Sequence, residues 1–245
     1  MSVAALISEI GALADARHAA FLATYFQTGA GGYGEGDVFL GVRNPDLRAA
    51  ARRYRALPAD SLAALLGSPV PEHRFVALAI LDDAARRAEA LGHERLARFY
   101  LDHADRVNNW DLVDCSAPRV LGGWLARRTG PAAKAESAAI LDALAGSAVM
   151  WRRRIAVMAS WGYIRSGRID VTCDLVDRLS TDPHHLMHKA MGWMLREVSK
   201  GDEAALRRFL DTRPALPRTT VRYAIERLAP EIRQGYVRAA RVATA

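Results

Sequence analysis

The chain has 245 residues, 51% of them hydrophobic, and a formal net charge of +7, enough to bury one core or a short helical array. No apolar run reaches the length of a membrane-spanning helix. Two cysteines, Cys115 and Cys173, with no Cys-x-x-Cys spacing, argue against a disulfide framework and fit a reducing, cytoplasmic setting. The start of the chain carries Glu9 and no basic n-region, so it reads as a mature helix and not a signal peptide.

The basic excess is almost all arginine, with lysine only at Lys134, Lys189 and Lys200. A guanidinium fork matches phosphate oxygens. A GC-rich genome that writes Arg for Lys would give the same composition, so placement has to decide.

In chain order, an N-terminal helical stretch is followed by Thr28-Gly29-Ala30-Gly31-Gly32-Tyr33-Gly34-Glu35-Gly36. That run is too glycine-rich for a helix and reads as a flexible loop. It follows no strand and lacks the Gly-Lys-Ser/Thr ending of a phosphate-cradling loop. Asn44-Pro45 then starts a helix, with Asn44 as N-cap and Pro45 at the first helical position. Further start signals fall at Ala59-Asp60-Ser61, Pro71-Glu72, Ser147, Asp182-Pro183 and Leu216-Pro217.

Helical blocks begin near Glu72, Asn109, Val149, His184 and Pro217, about 32–40 residues apart, the period of a helical-pair solenoid. Each block but the last is followed by a second helical segment: His93–Tyr100, Ala132–Ala143, Arg168–Leu179 and Asp202–Asp211. Sustained period-2 alternation is absent, while Ala, Leu and Arg favour helix. The expected fold is all-α, a helical-repeat solenoid (α-α superhelix) with a concave binding face. A single domain is expected over 1–245, with N-terminal helices and the Gly-rich loop in 1–36 and helical pairs in 37–240.

Several side chains have both a structural and a chemical reading. Asp114 follows Leu112-Val113, an apolar setting for a carboxylate, and lies four residues after Trp110, which places the two on one helix face. It can pair with an arginine such as Arg154, or stabilise a cation in a cleft. Trp110 follows two asparagines that suggest a helix start at a surface, and Trp193 is the second indole of interest. Trp124, Trp151 and Trp161 are expected in the core. Within Arg152-Arg153-Arg154, Arg154 sits among apolar neighbours and suits an inward role, whereas charge runs are usually solvated. His184, His185 and His188 lack both the Glu of a zinc-binding helix and a third ligand, so no metal site is expected.

Four segments together resemble the DNA alkylation repair (AlkD) family of HEAT-like-repeat DNA glycosylases. They are Phe39-Leu40-Gly41-Val42-Arg43-Asn44-Pro45-Asp46-Leu47-Arg48, Trp110-Asp111-Leu112-Val113-Asp114, Trp151-Arg152-Arg153-Arg154 and Lys189-Ala190-Met191-Gly192-Trp193-Met194-Leu195-Arg196-Glu197. Asp114 matches the family's catalytic Asp, and Trp110 and Trp193 match the two Trp that contact the lesion's deoxyribose. Arg154 matches the Arg that holds backbone phosphate. Arg153, Lys189, Arg196, Arg43 and Tyr25 join it as expected DNA contacts. Arg43 stands where relatives carry polar contact residues, and the Gly29–Gly36 loop is unusually glycine-rich.

The resemblance implies a glycosylase that excises cationic N3- and N7-alkylpurines in base excision repair, without a cofactor and without extruding the base. Its partner would be double-stranded DNA with alkylated bases. The chain would act as a monomer in the cytoplasm, nucleoid-associated when bound. Two other classes fit the same fold: a non-catalytic binder of damaged or branched DNA, and a protein-interaction scaffold.

Overall fold

The computed structural model describes residues 2–242, with side chains described through 238. Among the described residues every regular element is helical, and no helix is long and apolar enough to cross a membrane. The architecture is an α-helical repeat fold. The chain divides into two compact units, Met1–Ser116 and Ala117–Ala245.

Unit 1 contains α1 (Val3–Gly11), α2 (Ala16–Tyr25), α3 (Asn44–Arg53), α4 (Ala59–Leu66), α5 (Pro71–Arg87), α6 (Ala90–Asp102), a short 3-10 turn (Ala104–Arg106) and the start of α7 (Trp110–Ala117). The Ser2 and Asp15 side chains accept from the Ala5 and His18 N–H groups, capping α1 and α2. The unit is organised on α5, which packs against α3, α4 and α6. Every residue of α5 from Pro71 to Asp82 is buried, including Glu72, His73 and Arg74. Such a helix can carry charge only where each group finds a partner. Arg74 pairs with Asp37 at 2.5 Å, both side chains 5% exposed. His73 Nδ1 hydrogen-bonds with the Ser68 hydroxyl at 2.9 Å. Glu72 Oε1 accepts from the Leu40 and Gly41 N–H groups at 3.0 and 2.8 Å.

That last pair fixes the loop 37–43 over the start of α2. Asp15 N–H donates back to the Leu40 carbonyl at 3.0 Å. Gly41 has φ +84°, and a Cβ there would lie 2.2 Å from the Asp15 carbonyl oxygen. Only glycine fits both the conformation and the space.

Unit 2 opens with a π-helical turn (Pro118–Gly122), followed by α8 (Gly123–Arg127), α9 (Pro131–Ala145), α10 (Met150–Arg165), α11 (Asp170–Leu179), α12 (His185–Ser199), α13 (Glu203–Asp211), α14 (Arg218–Ala224) and α15 (Pro230–Val242). Here α10 is the central helix, packing on the π-turn, α8, α9, α11 and α12. Its residues 154–160 are all buried. The crossing of α10 with the π-turn is a backbone-on-backbone contact. A Cβ at Gly162 would lie 2.1 Å from the Gly122 carbonyl oxygen, and one at Gly122 would lie 2.1 Å from that of Ala159.

The helix starts fall close to the punctuation in the sequence, with four corrections. Asn44 is the first residue of α3 and Arg43 occupies the cap position, without a side-chain cap bond. The Asn44 side chain instead accepts from Arg48 Nε at 2.8 Å, an i, i+4 bond that competes with capping. The final block also has a second helix, α15, whose Pro230 start was overlooked. Trp161 is only half-buried, with the Arg119 and Arg165 guanidinia 5.5 and 5.8 Å from its ring. Trp124 and Trp151 are core, at 4% and 9% exposed. The glycine-rich run folds back on itself: Gly34 is buried, and Tyr33 Oη donates to the Tyr25 carbonyl at 3.0 Å.

Gly162→Ala is expected to destabilise the protein by about 1–3 kcal/mol, because backbone must move to admit the methyl group. Gly201→Ala, whose Cβ would meet nothing closer than 3.9 Å, should stay within about 0.5 kcal/mol of the parent. Denaturant midpoints compare the two, and equal effects would refute the backbone contact.

Candidate active site and nucleic-acid interface

In unit 1 the start of α7 carries the chemistry. Asn109 is 1% exposed, its side chain accepts from the Trp110 N–H at 2.8 Å, and its carbonyl accepts from Val113 N–H at 3.0 Å. Asn109 therefore sets where α7 begins. Leu112 and Val113 turn fully inward, which leaves Trp110 and Asp114, one turn apart, half-buried on the other side.

Trp110 does not stand alone. Phe26 stacks on it at 5.2 Å between ring centroids and 15° between planes, and Tyr25 meets it edge-on at 6.0 Å and 75°. Phe39 stacks on Phe26 at 5.0 Å. The Tyr33 hydroxyl hydrogen-bonds with the Trp110 side chain, so the glycine-rich run helps to hold this indole. Tyr25 and Phe21 remain 53% and 59% exposed.

These rings line a cavity of about 490 Å³ together with His18, Val42, Arg43, Glu72, Phe75 and Asp111. Burial pushes the Asp111 carboxyl up to about 7, opposed by a bond from the Leu112 N–H and raised further by the neighbouring Asp114 charge. Glu72 is 3% exposed, and its Oε2 has no hydrogen-bond partner. Arg43 is exposed at this cavity. Of the residues expected from the sequence, unit 1 thus brings Trp110, Tyr25 and Arg43 to one cavity, while Asp114 sits a turn further along α7. Sequence reasoning missed Asp111, Glu72, Phe26 and Phe39. Asp111 adjoins Trp110, but nothing in the chain announces that its carboxyl is desolvated.

In unit 2, Trp193 is half-buried on α12 and donates through Nε1 to Glu197 at 3.2 Å. Arg154 is 4% exposed and donates to the Leu186 carbonyl near the start of α12. Arg153 is held by Asp182 at 2.6 Å, with further bonds to the Ser147 and Ala148 carbonyls at 3.0 and 2.9 Å. Arg196 pairs with Glu226. Lys189 is half-buried and makes no ion pair among the described residues. His184 Nδ1 accepts from the Leu186 N–H at 3.1 Å, and His188 Nε2 donates to the Asp182 carbonyl at 2.5 Å. Among the described residues no three His, Cys, Asp or Glu side chains gather into a metal site.

Charge is divided unevenly along the chain. Unit 1 holds twelve arginines against fifteen acidic residues, a net −3; unit 2 holds twenty-two basic against twelve acidic residues, a net +10. Arg127, Lys134, Arg218, Arg222, Arg227 and Arg238 are exposed and form no ion pair among the described residues. Arg218 and Arg222, a turn apart on α14, line a groove of about 340 Å³ with Thr219, Val221 and Val237.

Residues 6–228 match the family model described as DNA alkylation repair enzyme. No curated protein matches the chain. Among solved structures, the chain is similar to one titled "Predicted DNA alkylation repair enzyme from Enterococcus faecalis". The TM-score is 0.66 at 19% identity, covering 89% of this chain and 97% of that one; at that identity the likeness shows the helical-repeat fold. The family match spans nearly the whole chain, and the protein belongs to the DNA alkylation repair enzyme family.

Proposed function

We propose that the protein is a DNA glycosylase that releases cationic N3- and N7-alkylpurines from duplex DNA by hydrolysis of the N-glycosidic bond. The observation that carries this reading is the pairing of Asp114 with Trp110 on one face of α7, a half-buried carboxylate one turn from an indole held by Phe26, Tyr25 and Tyr33.

As the glycosidic bond breaks, its electron pair goes to the base and positive charge develops on the sugar. A carboxylate about 3–4 Å from that charge lowers the barrier electrostatically. Asp114 supplies it and positions the water whose oxygen adds to C1′ and whose proton passes to solvent. The base is already cationic, so it leaves neutral and needs no strong general acid. Trp110 presents an electron-rich face to the cationic sugar. Unit 2, with its net +10 charge, supplies the phosphate grip.

The division of labour among the arginines differs from a uniform basic surface. Arg153 and Arg196 already serve carboxylates. Arg154 is 4% exposed and bonded to the Leu186 carbonyl, whereas Arg218 and Arg222 are exposed and form no ion pair among the described residues.

Asp114→Asn should bind methylated duplex as the parent does and lose at least about 100-fold in base release, the scale expected for a lost electrostatic stabiliser. Release of N7-methylguanine and N3-methyladenine is the assay, and parent-like excision would refute the assignment.

Changing Arg218 and Arg222 together to Ala should lower the slope of log K against log salt by about 2, near 0.9 per phosphate contact. Arg154→Ala should instead cost stability, by roughly 1–3 kcal/mol for the bond left unmade at the Leu186 carbonyl. A fall in salt slope with unchanged melting temperature would make Arg154 a phosphate contact.

A further inference from the structure

Trp161 stands on the central helix of unit 2 and is nonetheless only half-buried. Two guanidinia lie against its ring, Arg119 of the π-turn at 5.5 Å and Arg165 of α10 at 5.8 Å from the centroid. Among the described residues the indole Nε1–H donates to no acceptor, and the atom is not enclosed. A tryptophan is usually placed so that its apolar body and its polar edge both have partners. Here the body has the arginines and the edge has only water. Arg165 is exposed and forms no ion pair among the described residues.

The two elements that carry these groups are held together by backbone. Gly162 adjoins Trp161, Gly122 follows Arg119 by three residues, and a Cβ at either glycine would lie 2.1 Å from a carbonyl oxygen across the crossing. The indole and the π-turn are therefore registered by a main-chain contact that leaves little play. A guanidinium resting on such a ring has already given up part of its rotamer freedom, so less is lost when it grips a ligand.

The surroundings carry one sign of charge. Residues 117–135, which hold the π-turn and α8, contain no Asp or Glu, and neither do residues 143–169, which hold all of α10. The first stretch has four basic residues and the second has five, and these elements pack on one another. Acids from outside the two stretches take up Arg128, through Glu136, and Arg153, through Asp182. A coding bias toward arginine raises the basic count but does not clear carboxylates from both stretches. An open N–H donor beside an exposed guanidinium, with no carboxylate on either element, suits an anion with several oxygens. The guanidinium fork matches phosphate best among these.

We propose that Trp161 and Arg165 form a phosphate-binding site of unit 2, occupied by a backbone phosphodiester of duplex DNA whether or not a lesion is present. Arg165 donates to the phosphate oxygens, the indole Nε1–H donates to one of them, and Arg119 steadies the ring from the π-turn. The proposal rests on reading the protein as one that acts on DNA. It is independent of the catalytic role given to Asp114, because it concerns undamaged backbone.

The test is fluorescence anisotropy of a labelled, undamaged duplex titrated with the full chain across a salt series. Trp161→Phe keeps a ring for the two guanidinia and removes only the donor. It should weaken binding by about threefold to tenfold, the scale of one exposed hydrogen bond to a charged group, and leave the salt slope unchanged. Arg165→Ala should weaken binding and lower the slope of log K against log salt by about 0.9, and Arg165→Lys should restore that slope. Melting temperatures should stay at the parent value. A lowered melting temperature with parent-like slopes in all three variants would make the cluster structural and overturn the site.

A free nucleotide offers the same phosphate chemistry, so adenosine 5′-monophosphate is added at constant ionic strength. No displacement of the duplex supports the backbone as occupant; displacement that Arg165→Ala abolishes overturns it in favour of a free nucleotide. Parent-like affinity and slope in the Trp161 and Arg165 variants, or no binding of undamaged duplex by the parent, also overturns the site. The glycosylase reading is judged apart, by base release from methylated duplex. Release by the parent with parent-like variants would remove this site alone. Weakened variants of a parent that releases no base would keep the site and remove the glycosylase.

Discussion

The head of α5 is where unit 1 is tied together, and the tie is one buried carboxylate. Glu72 accepts two consecutive backbone N–H groups from the loop before α3. Without that acceptor, Leu40 and Gly41 would leave donors in a desolvated place. Because it is there, Phe39 and Val42 are set at the cavity wall on either side of the pinned pair. The Asp15 cap of α2 and the return bond from Asp15 N–H to Leu40 close the arrangement from the other side. Arg74, two residues along α5, anchors the same loop through Asp37. Removing a partner from such a buried ion pair is costly, because it strands the other charge.

Unit 2 uses a different device. Its central helix meets the π-turn with no side chain between, through Gly122 and Gly162, and a π-turn is itself an uncommon element that often marks functional regions. The chain there commits its buried arginine to the backbone, with Arg154 on the Leu186 carbonyl, and its half-buried Arg153 to Asp182. Basic residues facing water without an ion pair among the described residues include Arg127, Lys134, Arg218, Arg222, Arg227 and Arg238. A run of three arginines that looks like one electropositive feature is thus largely internal scaffolding.

Much of this was legible in the sequence because helix periodicity and punctuation are local. Pro45, Pro71, Asn109 and Asp202 announce helices that start at or beside them. The Trp110–Asp114 spacing places both residues on one face of α7 by helix geometry alone. What stayed illegible depends on burial by distant segments. Glu72 resembles any first-turn glutamate until Leu40 and Gly41 arrive 31–32 residues away in sequence. Asp111 resembles an ordinary helix-start aspartate until the cavity desolvates it. Trp161 resembles a core tryptophan, and only the arginines beside it explain its position at a surface. Asn44 failed as a cap for a local reason instead: a competing side chain, Arg48, lay within one turn.

The uneven division of charge affects how the molecule meets a polyanion. A net −3 unit is pushed away from the phosphate backbone while a net +10 unit is drawn in. Long-range fields of this kind act before contact and bias which surface arrives first. An approach to a polyanion such as duplex DNA is thereby biased toward the C-terminal unit, where counterion-driven, sequence-blind contacts would form. A division of charge between two halves of one chain can in this way order the approach to a polyanion before any shape is read.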